Sequence, residues 1–169
     1  FAKSFNIKLI GDLPFYVSRD SADVWSNKSL FSILKNGELI FQSGVPPDYF
    51  SSTGQLWGTP TYFWTKHKRT NFDWWRKRFK RQFELVDFLR LDHFRGMAGY
   101  WRVNGNSKTA ICGKWINSPG RTLLKKLKKD LGTDFLPIIA EDLGVITPDV
   151  EKLRKSFQFP GMKILQFAF

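Results

Sequence analysis

The chain has 169 residues, enough for one ordinary domain but fewer than the roughly 250 of a complete (β/α)8 barrel. Its composition, 42% hydrophobic, 25% charged and 17% aromatic, is that of a globular protein and excludes a disordered one. One cysteine, Cys112, excludes an intrachain disulfide, and with His67 and His93 leaves too few ligands for an ordinary structural zinc site.

The net charge of +12 raises nucleic acid or a membrane surface as partners. The charge gathers at residues 66–69, 76–81 and 125–129, all in or beside amphipathic helical patterns, and is read as solvated helix faces. No apolar run approaches the roughly 18 residues of a membrane span. Cytoplasm is the expected compartment, or a plastid if a longer chain carries a transit peptide.

In chain order, residues 8–12 (KLIGD) read as a strand closing on an acid. Residues 27–69, rich in Gly, Pro, Ser and aromatics, are too long for an ordinary connection and read as an inserted functional loop. Phe72, Trp75, Phe79, Phe83 and Val86 recur at helical spacing, which predicts a helix that buries this stripe and turns Arg76, Lys77, Lys80 and Arg81 outward. Residues 88–92 (FLRLD) and 137–141 (PIIAE) read as further strands. Between them Leu123, Leu124, Leu127 and Leu131 mark a helix with Gly132 as its C-cap. Thr147, Pro148 and Asp149 read as N-cap, first-turn proline and dipole-compensating acid of a helix with Val150, Leu153 and Phe157 on one face. Residues 162–169 read as a last strand. This alternation predicts an α/β fold on a parallel sheet, closed as a barrel or doubly wound. Apolar runs at both ends and no starting Met predict a segment lacking neighbours on both sides.

Asp92 and Glu141 each stand at the C-terminal end of an apolar strand, with one helix between. Neighbouring parallel strands run about 4.8 Å apart, close to the roughly 5 to 5.5 Å that separates the two carboxyl groups of a retaining glycosidase. Acids that merely cap strand ends would look the same. Arg90 lies two residues before Asp92, on the same face of an extended strand, where it would hold Asp92 ionised or form a structural ion pair. Glu141, preceded by Ile-Ile-Ala and followed by Asp142, is expected to hold its proton more tightly through desolvation and like charge.

The blocks IGDLPFYVSRDSADVW (10–25), GVPPDYFSSTGQLWG (44–58), LRLDHFRG (89–96), IIAEDLGVITP (138–148) and FPGMKILQFAF (159–169) together resemble, in order and spacing, the 4-α-glucanotransferase family, the amylomaltases and disproportionating enzymes of glycoside hydrolase family 77. The resemblance covers essentially the whole chain and implies a partial (β/α)8 TIM barrel, about strands three to six, with the insertion at 27–69. Residues 1–169 would be one stretch of a single catalytic domain. It implies Asp92 as nucleophile and Glu141 as general acid/base of a retaining double displacement, with Arg90, His93 and Asp142 contacting sugar. Asp48, Gln55 and Trp57 would line the substrate grooves, with Tyr49 and Phe50 on a loop over the cleft. The partners implied are α-1,4-glucans, with no cofactor and no metal. The family's third carboxylate, on a later strand, is not within these residues, so the isolated segment is expected to be inactive.

Three alternatives stay open. One is a hydrolase of the same clan, and another a binding-only glucan module using Trp57 and Tyr49. The third, a basic nucleic-acid binder, would interleave aromatics and charges on one face, whereas the 72–86 pattern segregates them. Trp57 and Tyr49 could equally be core residues.

Overall fold

A computed structural model describes residues 1–167. Seven strands follow in chain order: β1 (Ile10–Pro14), β2 (Phe41–Val45), β3 (Gln55–Pro60), β4 (Phe88–Asp92), β5 (Gly99–Asn104), β6 (Gly113–Asn117) and β7 (Ile138–Ala140). The α-helices are α1 (Ala22–Ser26), α2 (Trp64–Arg69), α3 (Asp73–Leu85), α4 (Gly120–Leu131) and α5 (Pro148–Ser156). They form two compact units, one from residues 1–15, 73–98 and 119 onward, the other from 16–72 and 99–118.

The first unit holds a parallel sheet in the order β1-β4-β7. Leu89 and Leu91 are fully buried on one face of the central strand, which leaves Arg90 and Asp92 side by side on the other. Helix α3 buries Trp74, Trp75 and Phe79, and the Trp75 ring meets Phe15 at 5.6 Å. Helix α4 buries Leu123, Leu124 and Leu127 and stops at Gly132, whose φ of 61° is the left-handed conformation that glycine adopts without steric cost. Helix α5 begins at Pro148 as expected, but the Thr147 hydroxyl makes no cap bond to a backbone N–H and instead accepts from Arg95 at 2.7 Å.

Three expectations need correction here. The first strand lies two residues later than residues 8–12, because pairing with β4 sets its limits. Arg76 and Lys80 do not simply point into solvent, since both reach Asp130 of α4 and tie the two helices together. Residues 162–167 form no strand; Leu165–Phe167 is a 3-10 turn, and residues 168–169 lie outside the described residues. The Met162 N–H, which a strand would pair, is bonded to the Asp142 carboxylate.

The second unit is an antiparallel sheet in the order β3-β2-β5-β6. Residues 27–69 supply β2, β3 and α2, and β2 pairs with β5 of the unanticipated hairpin of β5 and β6. Its sequence signal is two short runs, GYWRVN and GKWIN, either side of the stretch GNSKTAIC, which opens on turn-forming residues. The Gln42 amide donates to the carbonyls of Asn104, Gly105 and Ser107 at 3.0 to 3.2 Å and closes that turn. Tyr16, Phe31, Tyr62, Trp64 and Tyr100 form an aromatic core in this unit, with the rings of Phe31, Tyr62 and Trp64 against His67.

Candidate active site

In the first unit, strand register builds the site. Asp12 of β1 pairs with Arg90 of β4, and Leu91 with Ala140 of β7, so Asp92 and Glu141 occupy equivalent positions at the C-terminal ends of neighbouring parallel strands. The Arg90 guanidinium forks, donating through one nitrogen to Asp92 at 2.6 Å and through the other to Asp12 at 2.7 Å. Burial alone would lower its proton affinity. The bond to Asp12 and the charges of Asp92, Asp12 and Glu141 outweigh that, and the net shift is upward. Arg90 is thus a fixed cation among three carboxylates.

Glu141 is held by the backbone. One carboxylate oxygen accepts from the His93 N–H at 2.9 Å, the other from the Leu143 N–H at 3.0 Å. His93 presents its N–H from a left-handed conformation, φ 50° and ψ 50°, uncommon for a non-glycine residue and placed where the chain turns off β4. Burial, aided by the charge of Arg95, pushes the His93 imidazole down to about 4, so it is neutral at physiological pH.

Asp142 is engaged within the protein. Its carboxylate lies 3.1 Å from Arg154 of α5 and accepts the Met162 N–H at 2.8 Å. It therefore anchors the segment after α5. Arg95 was not anticipated. It donates to the Val145 carbonyl at 3.1 Å and to Thr147, fixing the loop that follows Glu141. Asp12, Arg95 and Arg154 thus support the predicted residues, and only Asp12, an acid on a strand read as closing on it, carried a sequence signal.

In the second unit the remaining candidates share one stretch. Asp48 accepts the Phe50 and Ser51 N–H groups at 2.9 and 2.8 Å, an Asx-type turn that shapes the loop between β2 and β3. Gly54, at φ 68°, closes it. Tyr49 and Phe50 stand 97% and 90% exposed at its tip. Gln55 and Trp57 alternate onto one face of β3, the indole N–H donating to the Gln55 side-chain oxygen at 3.2 Å. The Trp57 ring, 37% exposed, rests edge-on against Tyr16 at 5.8 Å. It is a braced aromatic surface of the kind on which sugar rings stack.

A parallel sheet that carries two carboxylates in register at its C-terminal edge, with an arginine bound to one of them, is the arrangement of α/β enzymes that act on glycosidic bonds. The family model described as 4-alpha-glucanotransferase matches residues 1–169. The chain is 54% identical, over its whole length, to a 4-alpha-glucanotransferase of Synechocystis sp., and 50% identical to the chloroplastic/amyloplastic 4-alpha-glucanotransferase of Solanum tuberosum. It spans about a third of the length of these relatives, 34% and 29%. Among solved structures, the amylomaltase from Streptococcus agalactiae in complex with acarbose matches 99% of the chain with 34% of its own, at a TM-score of 0.93 and 45% identity. The chain belongs to the 4-alpha-glucanotransferase family, glycoside hydrolase 77.

Proposed function

We propose that the protein containing this chain is a 4-α-glucanotransferase that moves a segment of an α-1,4-glucan onto the 4-hydroxyl of an acceptor. Asp92 attacks the anomeric carbon as the glycosidic bond breaks, and Glu141 gives its proton to the departing oxygen. The β-glucosyl ester on Asp92 is then attacked by the acceptor hydroxyl, whose proton returns to Glu141, and both carboxyl groups regain their starting states. Arg90 keeps Asp92 aimed through the bond between them, and the neutral His93 offers a hydrogen bond to sugar. Asp48, Gln55 and Trp57 bind the glucan chain, with Trp57 and the exposed Tyr49 and Phe50 as stacking surfaces. Asp142 acts by positioning rather than by touching sugar. No metal or cofactor enters any step.

The observation that carries this reading is the equivalent register of Asp92 and Glu141 with Arg90 bonded to the former. The barrel to which β1, β4 and β7 would belong, and a cytoplasmic or plastid setting, are parts of the same proposal. Among the described residues no helix is long and apolar enough to cross a membrane.

Incubating the full-length protein with maltotriose tests it. Glucose with a ladder of longer maltodextrins, lost in Asp92→Asn, is the expected result. Glucose and maltose without a ladder would mean a hydrolase, and no turnover by either would return the chain to a binding role. The 169-residue segment alone is expected to give no turnover.

A further inference from the structure

Neutral glucans leave the strong positive charge of this chain without a task. Part of that charge is organised. In the first unit a groove of about 470 Å³ runs along α4 to the C-terminal end of α5, lined by Arg121, Lys125, Lys128 and Lys129 of α4 and by Ser156 and Phe157. Its volume is in the range of small-ligand sites. The four cations repeat at i, i+4, i+7 and i+8, on one side of the helix.

Ordinary helix stability accounts for only part of this row. Lys128 and Lys129 sit in the last turn of α4, where cations offset the dipole. Arg121 sits in the first turn, where a cation opposes it, and no acid accompanies it there. Arg121 and Lys125 also oppose each other as like charges at i, i+4. The one carboxylate lining the groove, Asp134, lies 3.7 Å from Lys128 and is fully exposed. Arg121, Lys125 and Lys129 make no ion pair among the described residues. Phe157 also lines the groove, and its ring is stacked on Phe159 at 5.6 Å, a fixed aromatic wall that phosphate alone would not use.

We infer that this groove binds a small phosphorylated ligand of nucleotide type, its phosphates against Arg121, Lys125 and Lys129 and its ring against Phe157. Cations spread along two helical turns suit a diphosphate better than a single phosphate, and the aromatic wall suits a ring attached to it. A nucleic acid would need a basic track continuing beyond one groove of this size. The site shares no residue with the Asp92 and Glu141 pair.

The test is calorimetric titration of the full-length protein with ADP, pyrophosphate and adenosine. Two charge-reversed variants are compared, Lys125→Glu with Lys129→Glu in the groove, and Lys68→Glu with Lys108→Glu elsewhere on the surface, which change net charge equally. The expected result is saturable binding of one ADP, tighter than either pyrophosphate or adenosine, weakened about tenfold or more in the groove variant and unchanged in the surface variant. Phe157→Leu should bring ADP down to the affinity of pyrophosphate. Equal weakening by both charge variants would reduce the effect to non-specific attraction and overturn the proposal. So would the absence of saturable binding, or binding of a single-stranded oligonucleotide that ADP does not displace.

Discussion

Arg90 is the residue on which the carboxylate site turns. Its planar fork holds Asp92 with one nitrogen and Asp12 with the other, a task that a lysine ammonium on a flexible stem cannot reproduce. Arg90→Lys should therefore lower kcat about tenfold, with KM little changed, because the orientation of the nucleophile is lost while the contacts of Asp48, Gln55 and Trp57 with the glucan remain. Asp12→Asn, which spares the bond to Asp92, should cost about threefold, since Asp12 is half exposed and water screens the pair. Steady-state kinetics on maltotriose separate the two, and a wild-type kcat in Arg90→Lys would contradict the assignment. Arg90 and Asp92 were legible in the sequence because strand periodicity alone puts them on one face. The pairing of Arg90 with Asp12 was not, since the two stand 78 positions apart and only sheet register joins them.

Among the elements, those with local signals were readable and those defined by distant partners were not. Helix α4 shows the first kind: its leucine spacing and Gly132 stop are written in consecutive residues. A Cβ at Gly132 would meet nothing within 4 Å, so Gly132→Ala isolates the backbone cost of the left-handed turn, about 1 kcal/mol. Urea unfolding should show that loss as a lower midpoint at unchanged slope, with Gly132→Asn intermediate. An unaltered midpoint would mean that the helix ends by other means. Strands β5 and β6 show the second kind. Their short aromatic runs become a sheet only when β2, some sixty positions upstream, supplies the edge for β5. The residues at 162–167 failed for the converse reason: an apolar run looks like a strand until a side chain, here Asp142, takes its backbone N–H.

At the scale of the whole molecule, His67 sets a pH limit. It is fully buried among Phe31, Tyr62 and Trp64, and burial pushes its imidazole from 6.5 down to about 4, against the raising effect of a hydrogen bond with the Leu30 backbone. Between those values the unfolded chain binds a proton that the folded chain refuses, so stability is complete above pH 6.5 and falls as the pH drops towards 4. The loss approaches about 3 kcal/mol at the lower end. Comparing urea midpoints at pH 7 and pH 4.5 should show a steeper fall for the natural chain than for His67→Gln. Equal falls would mean that His67 is not the sensitive group.

The two units are each assembled from separated stretches, and this bears on how the protein comes off the ribosome. At roughly 5 to 20 residues per second, β1 emerges on the order of 4 to 16 s before its partner β4 is complete. For all of that interval the side of β1 that pairs with β4 is open, with Leu9 and Ile10 unable to bond to residues not yet made. The β2 strand waits in the same way for β5. Synthesis therefore leaves two strand edges open at once for several seconds, and a chaperone that shields extended apolar segments would act on this chain between the appearance of β1 and that of β5.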